Sequence, residues 1–519
     1  MGTLLVILLV FLFLFSFVLP KEAGPTTFGS AKFSKNSDQL GWLNKGFLIT
    51  QKSLDVRTSC QHLLLMGGSG SGKSQRHLIK QIFHFAKTAK TSLLVLDPKM
   101  EIKELTEGYC LHQGMKTYCL NLMQPEKSHS WNCLEDIDDN DIEDVVSRMY
   151  DITNEAANQQ DSIWSYGSKS LISLIIKCLK AFKNGYYLNL NNVLHIMQML
   201  QVYPLKIIQW MREHAPDEQS KLEAQRFQAQ ESKIRDGQLS GATSVISAML
   251  PEVVKKISNV TTLPKLSEIR KQPSIIYICL PIGKDEVLRP FVSLYLSTVM
   301  NEIVNTSISH DDLPIAMILE EFAQLIKMPN YSCILAVIRS RKVMLYHCIQ
   351  AIEQLYDRYG QFVAETILAN NNSYIIMSGL KSLKSQEFVK QSLLGKTTIS
   401  RKGNTSDYEN HSSRYLMTND EIRKLDADTS IFICGNEDPV LISPKPLYKD
   451  WWLKFLFGLK NSHGTLVSKH PVISYLNTCQ TTDYVSFDEI NTDSSNQPKE
   501  TILSFQERLE ALLPQTLKE

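Results

Sequence analysis

The run Gly67-Gly68-Ser69-Gly70-Ser71-Gly72-Lys73-Ser74 fits the spacing G-x-x-x-x-G-K-[ST]. Glycines at this density let the backbone wrap closely around phosphate and turn its N–H groups inward, and a helix N-terminus directly behind them favours anions. In that setting the Lys73 ammonium would pair with the β- and γ-phosphates of ATP, and the Ser74 hydroxyl would ligate magnesium. A second, acidic site is needed to hold the metal and polarise water. Ala316-Met317-Ile318-Leu319-Glu320-Glu321 supplies two carboxylates at the end of an apolar run, as a Walker B strand does. Glu320 takes the metal-side position and Glu321 the water-activating one. Gln350 ends the next apolar run, from which its amide would reach the γ-phosphate or the attacking water. Arg339 is a candidate arginine finger toward a neighbouring subunit's nucleotide. Each has a blander alternative: glycine-rich turns match by chance, paired acids open helices because they favour the dipole, and exposed arginines usually only solubilise.

A phosphate loop works only between a strand and a helix. HLLLM (62–66) is a short apolar run in front of it, and from residue 73 to about 88 the spacing is helical. SLLVLD (92–97), KTYCLNL (116–122), SIIYICL (274–280), PIAMILE (314–320), VMLYHCIQ (343–350) and SYIIM (373–377) read as further buried strands, mostly separated by helical segments. Such alternation predicts an α/β fold with a mainly parallel sheet covered on both faces. Between about residues 134 and 266 the strand signal vanishes and stretches such as SKSLISLIIKCLKAF and NNVLHIMQMLQ carry amphipathic helical spacing, which predicts an inserted all-α domain. The charged segment 211–238 alternates acids and bases and reads as a solvated helix face rather than a nucleic-acid-binding arm. The basic residues Lys381, Lys384, Lys390, Lys396, Arg401 and Lys402 are read as loops, either near a ring bore or membrane-facing end, or as plain solvated surface.

With 519 residues the chain exceeds one compact core, and 43% hydrophobic with 21% charged residues is ordinary for folded protein. A formal net charge of +1 draws in no phosphate by itself, so any nucleic-acid contact must come from local basic elements. The ten cysteines form no C-x-x-C pair and no zinc-spaced cluster, which suits free cytosolic thiols. Residues 3–19 (TLLVILLVFLFLFSFVL) carry no charge and suffice for one N-terminal transmembrane helix. A cleaved signal peptide is the rival, but a basic segment before the apolar run and a small-residue exit are both missing. Lys21, Lys32 and Lys35 follow the run, which places the rest of the chain in the cytoplasm as a single-pass protein of the inner, cytoplasmic membrane. The expected division is 1–20 anchor, 21–133 and 267–450 the two parts of a nucleotide-binding domain, 134–266 the all-α insertion, and 451–519 a partly mobile C-terminal segment.

In consistent order along residues 28 to 450, the chain resembles the coupling proteins of type IV secretion and conjugative transfer, the TraG/TraD-like P-loop ATPases. Phe28-Gly29-Ser30-Ala31-Lys32 is similar to the segment that follows the family's membrane anchor, Asp97-Pro98-Lys99-Met100-Glu101 to its D-P-K-x-E signature, and Ser130-Trp131-Asn132 to its S-W-N segment. Ser162-Ile163-Trp164 resembles a recurrent aromatic site, and Leu319-Glu320-Glu321-Phe322-Ala323 the L-D-E-F-A box. Gln350 with Gln354-Leu355 and Tyr359-Gly360 resembles the Q-x-x-x-Q-L, Y-G run; 416–422 and Pro439 resemble the closing segment.

The resemblance implies a RecA-like nucleotide-binding domain, an all-α domain facing the cytoplasm and a homo-hexameric ring at the membrane. It implies ATP and Mg2+ as cofactors, relaxase-bound single-stranded DNA as cargo and secretion-channel components as partners. Arg339 falls where the family carries an arginine thought to act across the subunit interface. The chain departs at Glu320, where the family has aspartate, and in having one anchor instead of a two-helix hairpin. Those departures keep open a nucleotide-gated docking receptor with weak hydrolysis. An FtsK-type double-stranded DNA translocase or a channel-assembly ATPase of the same superfamily fits the D-P-K-x-E signature and the helical insertion less well.

Overall fold

The computed structural model describes residues 29–153, 162–281, 283, 285–325, 327–402 and 409–449. The expected anchor (3–19) and C-terminal segment (451–519) lie outside the described residues, and among those described no helix is long and apolar enough to cross a membrane.

Seven short, continuously apolar runs form the parallel body of one nine-stranded sheet: β1 (Leu63–Met66), β2 (Ser92–Asp97), β3 (Lys116–Asn121), β4 (Ser274–Cys279), β5 (Ile315–Leu319), β6 (Val343–Ile349) and β7 (Ser373–Met377). In nearly all of them every residue is buried, as expected of strands covered on both faces. The hairpin β8 (Lys396–Lys402) and β9 (Glu409–Tyr415) stands apart as a two-stranded sheet. β10 (Ser430–Cys434) and β11 (Val440–Ile442) close one edge of the main sheet, whose order is β11-β10-β7-β1-β6-β5-β2-β4-β3. β10 runs antiparallel to β7, and β11 antiparallel to β10.

Alternate residues of each strand feed two separate cores. Leu63, Leu65, Leu93 and Val95 pack on one face beneath the helix that follows the glycine loop, whose widened first turn Ser74–Leu78 continues as Ile79–Thr88 (α1), and beneath α2 (Glu101–His112). Leu64, Met66, Leu94 and Leu96 pack on the other face, in one continuous core with the helical insertion. Between β3 and β4 the described residues contain no strand, as the loss of alternation predicts. Its main helices are α3 (Ile142–Thr153), α4 (Ser162–Ala181), α5 (Leu190–Val202), α6 (Pro204–His214), α7 (Glu218–Ala229) and α8 (Ser232–Met249). The 211–238 stretch spans the end of α6, all of α7 and the start of α8, with Phe227 and Ala224 buried and its charges mostly outward, in line with a solvated helix face.

One expectation fails: the basic stretch beginning at Lys381 is largely regular structure. It forms a helix, Leu383–Phe388, then a wide turn, Val389–Leu394, then β8. Thr and Ile at 397–399 suit a strand, and the lysines disguise it because only alternate positions need be apolar on a one-sided hairpin.

Candidate active site

Parallel strands in register deliver their C-terminal residues to one edge. Met66 pairs with Ile349, and Leu319 with both His347 and Leu96, so the residues that follow β1, β5, β6 and the end of β2 emerge side by side. This is the edge where open α/β sheets bind ligands. Gly67 leaves β1, Glu320 leaves β5, Gln350 leaves β6, and Asp97 ends β2.

The glycine loop is held by both strands that flank β1. The Gly67 N–H donates to the Ile349 carbonyl at 3.3 Å and the Gly68 N–H to the Ser378 carbonyl at 3.4 Å. A Cβ on Gly68 would sit 2.1 Å from the Gly379 carbonyl oxygen, which requires glycine there, and one on Gly67 would sit 2.9 Å from Met377 Cβ on β7, too close without a shift. Gly70 and Gly72 instead need glycine for their left-handed backbone, with φ of 76° and 82°. Ser69 and Gly70 form the exposed crest of the loop, whereas Ser71 and Gly72 lie partly buried. The Arg76 N–H donates to the Gly72 carbonyl at 2.8 Å as the chain enters its first, π-wound turn, a local widening common at functional sites.

Five of the sequence-derived residues converge here. Lys73 is buried; its ammonium donates to the Gly67 carbonyl at 3.0 Å and lies 3.7 Å from Glu321 Oε1. The Ser74 hydroxyl donates to Glu320 Oε1 at 2.5 Å. The Gln350 amide donates to the same Glu321 oxygen at 2.7 Å, and its own N–H donates to Gln354 Oε1 at 3.1 Å. Glu321 adopts φ 53°, a left-handed conformation unusual for a non-glycine residue, and its buried Oε2 has no partner among the described residues.

Burial drives Glu320 up to about 7; the nearby Asp97 and Glu321 carboxylates push the same way, and the Ser74 hydroxyl and Lys99 oppose them. Asp97 rises to about 6 for the same leading reason, restrained by the backbone N–H groups of Lys103 and Lys99, which it accepts at 2.7 and 3.3 Å. A buried acidic pair facing a lysine and a serine is a site that lacks positive charge and would gain from a divalent cation.

Arg339 is placed differently. It opens a short turn, Arg339–Arg341, in front of β6, whereas Gln350 follows β6, so the strand's seven residues separate it from the glycine loop by about 20 Å. It is exposed, on the edge opposite its own subunit's phosphate loop.

Sequence reasoning gave no chemical role to Asp97 or Gly379. Asp97 was legible in principle, because SLLVLD ends in an acid as AMILE does; Gly379 was not, because its part is a backbone approach to Gly68.

The chain shares its fold with solved structures of the bacterial conjugative coupling protein TrwB. The form in complex with sulphate matches with TM-score 0.64 and 16% identity, covering 82% of this chain and 97% of that one. The complex with the ATP analogue ADPNP matches with TM-score 0.64 and 17% identity, again over 82% and 97%, and that with ADP and Mg2+ with TM-score 0.63 at the same identity and coverage. No curated protein matches the chain in sequence. The model of the type IV secretory system conjugative DNA transfer family matches residues 25–496, a span that holds the glycine loop, the paired acids and the helical insertion alike. The chain therefore belongs to the conjugative DNA-transfer family of type IV secretory systems.

Proposed function

We propose that this protein is a membrane-anchored ATPase that couples a relaxase-bound single-stranded DNA to a type IV secretion channel and drives its transfer. The observation that carries the reading is the convergence of Lys73, Ser74, Glu320, Glu321 and Gln350 at one sheet edge behind a glycine loop. The residues fit ATP and Mg2+: the loop leaves no room for a Cβ at Gly68, the buried Glu321 Oε2 awaits a proton donor, and Ser74 and Glu320 offer two hard oxygens side by side. That solved relatives in fold hold ADPNP, or ADP with Mg2+, supports the same assignment. Bound there, the nucleotide supplies a phosphoanhydride whose charge the metal offsets.

The chain's own contributions follow from the contacts. Lys73 would exchange its loop carbonyls for phosphate oxygens, and Ser74 and Glu320 would hold the metal. Glu321 accepts the proton of the attacking water, with Gln350 fixing the carboxylate's orientation through its amide. Arg339 lies on the edge that a neighbouring subunit would read, so in a homo-hexameric ring it would meet that neighbour's phosphates. Residues 3–19 supply a single-pass anchor in the cytoplasmic membrane, with the ATPase in the cytoplasm.

One observation favours a second reading, a nucleotide-gated docking receptor with slow hydrolysis. Glu320 reaches Ser74 directly at 2.5 Å, a contact that a shorter aspartate would leave open for a metal-bound water. The test is the ATPase rate of the full chain in detergent across protein concentration, with and without single-stranded DNA. A rate that rises cooperatively and is stimulated by DNA establishes the motor. A slow rate indifferent to DNA but raised by Glu320→Asp establishes the receptor.

A further inference from the structure

The β8–β9 hairpin stands outside the main sheet, yet it is tied to the start of the described chain. Ser30 pairs antiparallel with Thr397, the Ala31 N–H donates to the Lys396 carbonyl at 3.0 Å, and Thr398 Oγ1 donates to the Gly29 carbonyl at 2.9 Å. A Cβ on Gly29 would lie 2.3 Å from the Lys396 carbonyl oxygen, so this edge is closely fitted. Residues 29–31 thus extend the hairpin by a third strand, and only ten positions separate Gly29 from Leu19, the end of the apolar run. Fully extended, that connection spans at most about 35 Å.

The hairpin and its approach are rich in cations. Lys390 and Lys396 lie 4.9 and 5.2 Å from the centre of the Tyr415 ring, one on the approach and one on β8 opposite Tyr415 itself. Lys396 is exposed and Lys390 half-buried, and no ion pair to either occurs among the described residues, whereas Arg414 on β9 is paired with Glu421. Lys32, three-quarters exposed, follows the added strand and lies 3.7 Å from Asp438 Oδ2 at the surface. A tyrosine flanked by lysines matches the amphipathic aromatic and basic side chains that settle at lipid headgroups.

We propose that this hairpin docks on the anionic phospholipid headgroups of the membrane that holds the anchor. The inference rests on the anchor reading and adds the surface that fixes the ATPase's orientation against the bilayer. A short tether keeps the patch at high effective concentration beside the bilayer, so a few lysines suffice, each worth about fivefold in partitioning. Single-stranded nucleic acid is the competing ligand for a basic surface. It is less favoured because the hairpin is built onto the segment that leaves the anchor.

The test places the full chain in nanodiscs of phosphatidylcholine alone or with phosphatidylglycerol and follows lysine acetylation by mass spectrometry. Acetylation of Lys32, Lys390 and Lys396 should slow several-fold with phosphatidylglycerol, recover in high salt, and leave the exposed Lys233 of α8 unchanged. Lys390→Gln/Lys396→Gln should weaken docking by about 25-fold and return Lys32 toward its rate in phosphatidylcholine. Equal rates in both lipids, with the chain incorporated, overturn the docking alone. Protection that appears only when single-stranded DNA is added overturns it in favour of nucleic acid. A chain that fails to enter nanodiscs sinks the anchor and the docking with it.

Discussion

Replacing Glu320 with glutamine should stabilise the nucleotide-free protein in a pH-dependent way while destroying its use of magnesium. The carboxyl is buried, with its protonation midpoint moved from 4.5 to about 7. A carboxyl raised on folding contributes its full stability below the unfolded value, and that contribution is lost as pH rises through the folded one. At about 1.4 kcal/mol for each pH unit between the two values, the ionised side chain costs about 3 kcal/mol at pH 8 and under about 1 at pH 5. Glutamine is never ionised and can still accept the Ser74 hydroxyl. Urea titrations should therefore show Glu320→Gln and wild type nearly equal at pH 5, with the variant gaining by about 2–3 kcal/mol at pH 8. Asp97 titrates in both proteins, and its repulsion of ionised Glu320 is part of the cost that glutamine removes. The same variant should bind nucleotide no more tightly with magnesium than with a chelator, because a neutral amide does not compensate a divalent charge. A stability difference that stays flat across this pH range refutes a buried, charge-strained Glu320.

Three further outcomes follow from the geometry. Gly68→Ala puts a Cβ 2.1 Å from the Gly379 carbonyl oxygen, so the loop must move by about 1 Å and kcat/KM for ATP should fall about 100-fold with the fold intact by circular dichroism; an unchanged rate contradicts the packed loop. Gln350→Ala removes one of two groups on Glu321 Oε1, and kcat should drop by about 100-fold with nucleotide affinity nearly retained, measured by turnover and by titration with a fluorescent nucleotide; a loss confined to affinity would make Gln350 a binding group. Arg339→Ala and Lys73→Ala should each be inactive alone and regain part of the rate when mixed, since intact Arg339 from one would complete the intact loop of the other; no recovery in mixed rings rules out action across the interface.

The convergence at one sheet edge was legible because its signals are local. Glycine spacing, an apolar run ending in acids, and a polar residue closing the next strand each sit within a few positions, and parallel pairing brings separate runs to one edge without further information. Three things were not local. β10 and β11 join antiparallel to β7, a pairing set by a return of the chain that no periodicity marks. The basic stretch around residue 396 reads as surface because half of an exposed hairpin is surface, although its backbone is a strand. The distance of Arg339 from the loop follows from the parallel pairing of β6 with β1, which puts the start of β6 at the edge away from the loop.

The shared oxygen of Glu321 ties the carboxylate after β5 to the lysine of the glycine loop. Oε1 accepts from Gln350 and lies beside the Lys73 ammonium, so the candidate base is partly neutralised by the lysine that would bind phosphate. Lys73 is meanwhile engaged by the Gly67 carbonyl of the loop it should leave open. Moving Lys73 onto an anionic ligand would take the ammonium away from Glu321 and leave Gln350 as its remaining orienting partner. The partners of the Glu321 carboxylate are thereby linked to occupancy of the loop. The left-handed backbone at Glu321 is the conformation in which the carboxylate reaches both partners, one after β6 and one at the head of the loop helix.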